Sequence, residues 1–419
     1  MRHVLFSFLG TGKYKNCIYS WNEQALTETR YVQTAIYEYL QTIEHPLTVI
    51  VFTTDDAYEK NWLDGEEEGL ASTFQRLAPE ATLQMVRIDN PEGEAENWKL
   101  FDAILNEIQE GDHIYFDMTH SFRAIPIVSL IVMNYARFIK KATLEKLVYG
   151  QFNGDTGTIL DMTNMLELLS WTNGVDQFIR TGDATQIGEL VQTIAKDSFK
   201  NKEMSSESRS SLLDLKKVAE QLENVSLAIQ TCRSTEIVKE IELLQKHIAT
   251  AKEKKSNFIQ PLVPLLDEIE SKYAHFSEGA GYEAARWSAE HGLIQIGYTL
   301  LQENFVTALS EYLQFNPTNK EQRTLINSAI KIVADQLPKE QWHGDEQRKE
   351  QLANIVEQLP FNREQLLKYS KLTDYRNDIN HAGMRPNATK AANLKRELHS
   401  AVEQMEELFQ LLQTQKIGG

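Results

Sequence analysis

Cysteine is scarce in this chain. Its 419 residues hold two, Cys17 and Cys232, far apart and in no metal-ligand spacing. That argues against a disulfide framework and suits a reducing, cytoplasmic setting. Long apolar runs are missing as well. The longest, Ile125 to Met133, falls well short of the roughly 20 residues a membrane-spanning helix needs. The N-terminus lacks a signal-type apolar segment, because Gly10 and Gly12 interrupt the run, so no signal peptide is expected. Positive charge is in the minority: 43 Lys and Arg face 60 Asp and Glu, for a net charge of −17. Such a chain is a poor candidate for tight, non-specific DNA binding. One stretch runs against that balance, since residues 366–396 hold seven Lys or Arg, two Asp and no Glu. Internal repeats and low-complexity tracts are absent too.

What is present fits a globular protein. The chain is 42% hydrophobic and 25% charged, and its length suits two or three domains. Residues 1–152 alternate strand-like and helix-like segments. Strands are expected at Val4–Leu9, Leu47–Phe52, Leu83–Ile88, His113–Asp117 and Leu144–Phe152, with helices at 27–43, 67–77, 94–109 and 121–140. Near-continuous apolar strands separated by helices predict a Rossmann-like α/β domain with a parallel sheet covered on both faces. The rest reads as helical. Leu215, Val218, Leu222, Val225 and Ile229 recur at three and four residues, as do Ile237, Ile241, Leu244 and Ile248. That period marks long amphipathic helices. Pro261 and Pro264 break it, and loops are expected at Asn316-Pro317, Trp342–Gly344 and Pro360.

In a doubly wound sheet, ligands sit beyond the strand C-termini. Two segments there draw notice. Gly10-Thr11-Gly12-Lys13 follows the first strand. Its glycines let backbone amides approach an anion, though a tight turn explains them equally well. The loop lacks the third glycine of a dinucleotide fingerprint and is no P-loop. Asp55 and Asp56 are poorly placed for a ribose, and no hydride-transfer constellation follows, so a nicotinamide enzyme is disfavoured. The second segment, Asp117-Met118-Thr119-His120-Ser121-Phe122-Arg123, ends the fourth of the expected strands. Thr119 or Ser121 can cap the next helix, whose N-terminus attracts phosphate. Arg123 can fork a phosphate or pair with Asp117. His120 reads as a ligand contact or as a packed histidine. Thr54 and the tail Tyr149-Gly150-Gln151 are further rim candidates.

A third segment, Tyr375-Arg376-Asn377-Asp378-Ile379-Asn380-His381, closes a helical run that starts near Arg363, with Gly383 as terminator. Metal-free RNA cleavage needs a base for the ribose 2′-hydroxyl, a cation for the charge on phosphorus and an acid for the leaving oxygen. Histidine titrates in the right range and arginine keeps its charge. Asn377 shares a helix face with His381 and can orient it. One helix supplies one histidine, so a homodimer is a mechanistic expectation. The Arg and His spacing alone is common on solvated helices. Metal ligation by His381 is not expected, because no second His or Cys stands at ligand spacing.

Together these segments resemble the CRISPR-associated CARF–HEPN ribonucleases of type III systems. Val4 to Tyr14 resembles the start of their CARF domains, Asp117–Arg123 their Asp-x-Thr-His-Gly-x-Arg signature, and Arg376–His381 their HEPN motif. Ser121 stands where the family more often has glycine. The resemblance implies a CARF-like domain over 1–175, a helical connector over 176–275 and an all-α HEPN-like domain over 276–419. Over 155–275 it rests on general helical character. It further implies a cytoplasmic homodimer that takes no cofactor. Cyclic oligoadenylate, a tetra- or hexa-adenylate, would lie on Gly10–Lys13, Thr54 and Thr119–Arg123. Arg376, His381 and Asn377 would then cut single-stranded RNA without metal, leaving a 2′,3′-cyclic phosphate. Two other readings remain: a non-catalytic sensor that regulates a partner, and a ring nuclease that degrades its own activator.

Overall fold

The computed structural model describes residues 1–43, 46–90, 92–120, 125–200, 206–253, 260–274, 276 and 280–416. They divide into two compact units, Met1–Glu167 and Leu168–Gly419. The first holds eight strands: β1 (His3–Leu9), β2 (Ile18–Trp21), β3 (Gln24–Ala25), β4 (Leu47–Thr53), β5 (Thr82–Arg87), β6 (His113–Asp117), β7 (Thr143–Phe152) and β8 (Thr156–Asp161). They form one mixed sheet in the order β3-β2-β8-β7-β6-β1-β4-β5. From β7 through β5 every neighbouring pair is parallel, while β7–β8 and β2–β3 are antiparallel.

The strand pattern explains the layering. Along β1, Val4, Phe6 and Phe8 enter one apolar cluster with Ile50, Phe52, Ile114 and Phe116, and Leu5 and Leu9 enter the other with Val49, Val51 and Tyr115. A side-chain period of two thus feeds two cores. Helices α1 (Val32–Gln41), α2 (Asp55–Ala57), α3 (Leu70–Leu77), α4 (Glu94–Glu107) and α5 (Ile125–Ile139) complete the unit. Tyr31, Val32, Ile36 and Phe74 fill one core, and Leu100, Ile104, Val132 and Met133 the other.

The five parallel strands match the expected ones. Two helix starts and three strands differ most, and of the helix expected over 121–140 the first four residues lie outside the described ones. The helix expected from residue 27 begins at Val32, because Thr29 pairs with Cys17 in an isolated bridge and that stretch is extended. The helix expected from 67 begins at Leu70. Strands β2, β3 and β8, beyond the parallel set, have no counterpart in the sequence expectation.

The second unit is helical. Its elements are α6 (Thr163–Thr181), α7 (Thr185–Lys200), α8 (Ser206–Gln230), α9 (Ser234–Lys252), α10 (Val263–Lys272), α11 (Ala280–Glu290), α12 (Ile294–Tyr312), α13 (Lys320–Asp335), α14 (Glu346–Gln358), α15 (Arg363–Asn380) and α16 (Ala391–Lys416). One apolar core runs from Trp171 to Leu412, through both the 176–275 and the 276–419 stretches that the sequence reading separates. Helix α12 is its centre: Tyr298, Leu300, Leu301, Phe305 and Leu309 are all fully buried. The α15 entry is fixed by a capping box, with Asn362 accepting from the Gln365 amide and the Gln365 side chain accepting from the Asn362 amide. Among the described residues no helix is long and apolar enough to cross a membrane.

Candidate functional site

Strand β1 pairs with β4 on one side and β6 on the other, in parallel register His3↔Leu47 and His3↔His113. The chain winds away from β1 in both directions, so the β1/β6 boundary is the sheet's topological switch point. The Gly10 loop and the Asp117–His120 loop leave the sheet there.

A polar network fixes this rim. Asp117 is fully buried, and its Oδ2 accepts from the Ser7 hydroxyl at 2.6 Å. Its Oδ1 accepts from the Thr119 amide at 2.9 Å and from the Thr119 hydroxyl. Thr119 Oγ1 in turn accepts from the Gly150 amide at 2.7 Å. Burial pushes the Asp117 carboxyl above its ordinary range, against the pull of the Ser7 and Thr119 hydrogen bonds. The hydroxyl thus spends its hydrogen and one of its two lone pairs inside the fold, and Thr119 ties β6 to β7.

Above this network the two loops touch. The Gly10 amide donates to the Tyr14 hydroxyl at 2.9 Å, and the Tyr14 ring lies 4.4 Å from the His120 ring, centroid to centroid. A Cβ at Gly10 would sit 2.9 Å from that hydroxyl and 3.6 Å from the His120 Cβ. A side chain at this position would have to displace the Tyr14 hydroxyl. His120 Nε2 is buried and has no hydrogen-bond partner among the described residues. Burial lowers its imidazole from 6.5 to about 4, so the ring is neutral at physiological pH. Thr11 is half-buried, Gly12 and Lys13 are exposed. Thr54 is buried, and its hydroxyl caps α2 by accepting from the Ala57 amide at 3.3 Å. Ser121 and Arg123 lie outside the described residues.

One residue at this rim escaped the sequence reading. Helix α2 continues as a π-helical turn over Tyr58–Trp62, a widening often found at functional sites. From it Asn61 Nδ2 donates to the carbonyls of Gly10 at 2.8 Å and Gly12 at 3.0 Å. With those carbonyls held, the loop's backbone is set in one conformation. A cleft of about 510 Å³ elsewhere in the unit, lined by Thr34, Tyr37, Glu38 and Glu80 among others, includes none of the candidate residues.

The second candidate site is the end of α15. The helix stops in a Schellman motif: the Gly383 amide donates to the Asp378 carbonyl at 3.0 Å and the Ala382 amide to that of Ile379 at 2.9 Å. Ala382 (φ 55°) takes the left-handed position just after the cap, and Gly383 (φ 71°) follows it. His381 is the cap residue. Its side chain is exposed and makes no hydrogen bond or ion pair to the described residues. Asp378 is buried and ties the next segment back to the helix, its Oδ2 accepting from the Thr389 amide at 2.6 Å.

Arg376 is placed differently. Its Nη2 lies 3.6 Å from Glu303 Oε1 on α12, and its Nε is buried without a partner among the described residues. Nearly all buried donors in proteins are satisfied, so an unspent guanidinium N–H is a notable exception. Asn377 is half-buried on the same last turn. The basic stretch around it is partly neutralised, because Lys371 and Arg396 both pair with Glu397, at 3.0 and 3.3 Å. Among the described residues no cluster of three or more His, Cys, Asp or Glu is placed to hold a metal ion.

With these geometries in hand, relatives can be compared. Residues 167–278 match the family described as CRISPR-associated protein MJ1674, second domain. That segment is the one where the sequence reading found only general helical character. The chain is also similar to CRISPR-associated protein MJ1674 of Methanocaldococcus jannaschii, 24% identical over 222 residues. The match takes in 52% of this chain and 32% of the relative, so about a third of that longer protein is represented. Among solved structures, Enterococcus italicus Csm6 bound to cyclic hexa-2′-fluoro-hexa-dAMP superposes with a TM-score of 0.44 and 11% identity, over 98% of this chain and 94% of that one. A likeness that loose transfers no geometry.

Proposed function

We propose that this protein is a metal-independent endoribonuclease of CRISPR defence, switched on by a cyclic oligoadenylate. The observation that carries the reading is Arg376. Its guanidinium is held at the end of α15 with a buried N–H unspent among the described residues, five residues before the exposed imidazole of His381. A phosphate diester supplies the acceptor that donor lacks. His381 would exchange protons with the ribose 2′-hydroxyl or the leaving oxygen, Arg376 would stabilise the charge on phosphorus, and Asn377 would orient the reacting groups. Cleavage by the 2′-hydroxyl would leave a 2′,3′-cyclic phosphate. The matched relatives support the CRISPR setting through their CRISPR-associated names.

The activator site in this reading is the switch point. The Gly10–Lys13 backbone, preset by Asn61, would receive phosphates, and neutral His120 would offer its unpartnered Nε2 to a base or ribose. Activation is then a coupling free energy between this site and α15.

A homodimer completes the scheme, since one chain brings a single His381. Helix α5 supports it. Ile127, Ile131, Tyr135 and Phe138 are exposed at spacings of four, four and three residues, which is one helix face. Trp98 on α4 is exposed nearby in the same aromatic chain through Phe101 to Tyr135. A stripe of that kind marks an interaction surface, and a second copy is the occupant the mechanism calls for.

The test uses labelled single-stranded RNA in EDTA, with cyclic tetra- or hexa-adenylate. Arg376→Ala and His381→Ala should each lose cleavage by at least ~100-fold while still binding activator. Cleavage by His381→Ala at the wild-type rate would overturn the assignment.

A further inference from the structure

Helices α12, α13 and α15 meet at a cluster of charges that the motif reading does not include. Glu303 sits on α12, and its Oε2 accepts from Arg323 Nη2 of α13 at 2.7 Å. Arg323 spends four of its five N–H groups inside the fold. Its Nη2 also reaches the Glu303 carbonyl at 3.0 Å, and its Nη1 donates to Thr307 Oγ1 at 2.9 Å and to the Pro317 carbonyl at 3.1 Å. Arg323 therefore anchors Glu303, leaving Oε1 directed at Arg376 Nη2, 3.6 Å away.

The contrast between the two arginines is informative. Both terminal nitrogens of Arg323 are engaged within the fold. Arg376 is held by one long ionic contact with its Nε unspent. An acid beside a polyanion site raises the energy of bound phosphate, so a structure retains it there only if it does something else. A long side chain on the last turn of a helix has many rotamers, and fixing it before substrate arrives removes that cost from the reaction.

We infer that Glu303, braced by Arg323, is a positioning residue that presets the Arg376 guanidinium for the scissile phosphate. This rests on the reading of Arg376 given above. Glu303 touches neither substrate nor reacting atoms; it acts through Arg376 alone.

A reporter for this contact is built into the chain. Cys232, in the turn between α8 and α9, has its thiol raised by burial and further by Glu303, and lowered by Arg233 and Arg376. Cys17 is buried, so alkylation of the native full-length protein reads Cys232. The experiment compares Glu303→Gln with Arg376→Ala and wild type, measuring kcat and KM on labelled RNA with cyclic tetra- or hexa-adenylate, and the iodoacetamide rate of Cys232 at fixed pH. Gln keeps the shape and can still accept from Arg323. The expected result is kcat about tenfold lower, KM unchanged or lower, and faster alkylation, with slower alkylation in Arg376→Ala. Wild-type kcat in Glu303→Gln, a raised KM with kcat kept, or an unchanged alkylation rate would each overturn the inference. If Arg376→Ala itself cuts normally, the reading of α15 fails instead. Whether Glu303 and Arg376 are coupled is then decided by the thiol rate of the double variant against the two single ones.

Discussion

Thr119 gives a sharp test of how the rim is built. Its hydroxyl donates to buried Asp117 and accepts from the Gly150 amide at 2.7 Å. Thr119→Val removes both interactions while keeping the side chain's shape, so no cavity complicates the outcome. Losing a hydrogen bond to a charged group costs about 1.5–3 kcal/mol, and leaving the Gly150 N–H unsatisfied costs about 1–3 kcal/mol more. Together these predict a loss of roughly 2.5–6 kcal/mol in the first unit. Thr119→Ser keeps the hydroxyl and forfeits one methyl, for about 1 kcal/mol. Hydrogen exchange on peptides from β1, β6 and β7 reads this unit apart from the helical one. The reasoning is refuted if Thr119→Val exchanges like wild type but fails to bind activator, because the hydroxyl would then face the ligand.

Three further outcomes follow from single residues. Folded His120 takes a proton only near pH 4, against 6.5 for an ordinary imidazole, so between those values the unfolded chain binds more protons. Wild type should therefore lose about 1–2 kcal/mol of stability from pH 7 to pH 5 that His120→Gln does not lose, seen in urea midpoints. Gly10→Val places its Cβ 2.9 Å from the Tyr14 hydroxyl and should raise the activator concentration for half-maximal cleavage ~10-fold or more, with the rate at saturation unchanged. Ala382 holds a left-handed conformation at φ 55°, so Ala382→Gly should raise the thermal midpoint by relieving about 1 kcal/mol of strain.

The parallel sheet was legible because its central strands β1, β4 and β6 are buried on both faces and read as apolar runs. Strands β2, β3 and β8 were not. β2 has four residues and β3 two, and β8 carries Thr156, Gly157, Thr158 and Asp161, so none shows a long hydrophobic signature. The switch-point loops could be located once the strands were placed, but the roles within them could not. Thr119 and Thr54 look like ligand hydroxyls in a motif, and the fold uses both internally. Ser7 carried a signal that could have been used: a polar residue inside the run Val4–Leu9 must find a buried partner, and that partner is Asp117. Asn61 carried none, because its contact with Gly10 spans 51 residues and depends on a π turn. At α15 the helical run from Arg363 and its stop near Gly383 were legible, while the left-handed residue after the cap is Ala382, with Gly383 following it. The Glu303–Arg376 contact was not, since it arises from the packing of α12 against α15.

The account rests on the switch-point site controlling the α15 site, and wild-type protein suffices to test that. Cleavage of labelled single-stranded RNA is followed in EDTA while cyclic tetra- or hexa-adenylate is titrated, with the new ends analysed. The prediction is a saturable rise in rate with one ring size and products ending in 2′,3′-cyclic phosphate. A rate independent of both rings, or products with plain 3′-hydroxyl ends, would contradict it.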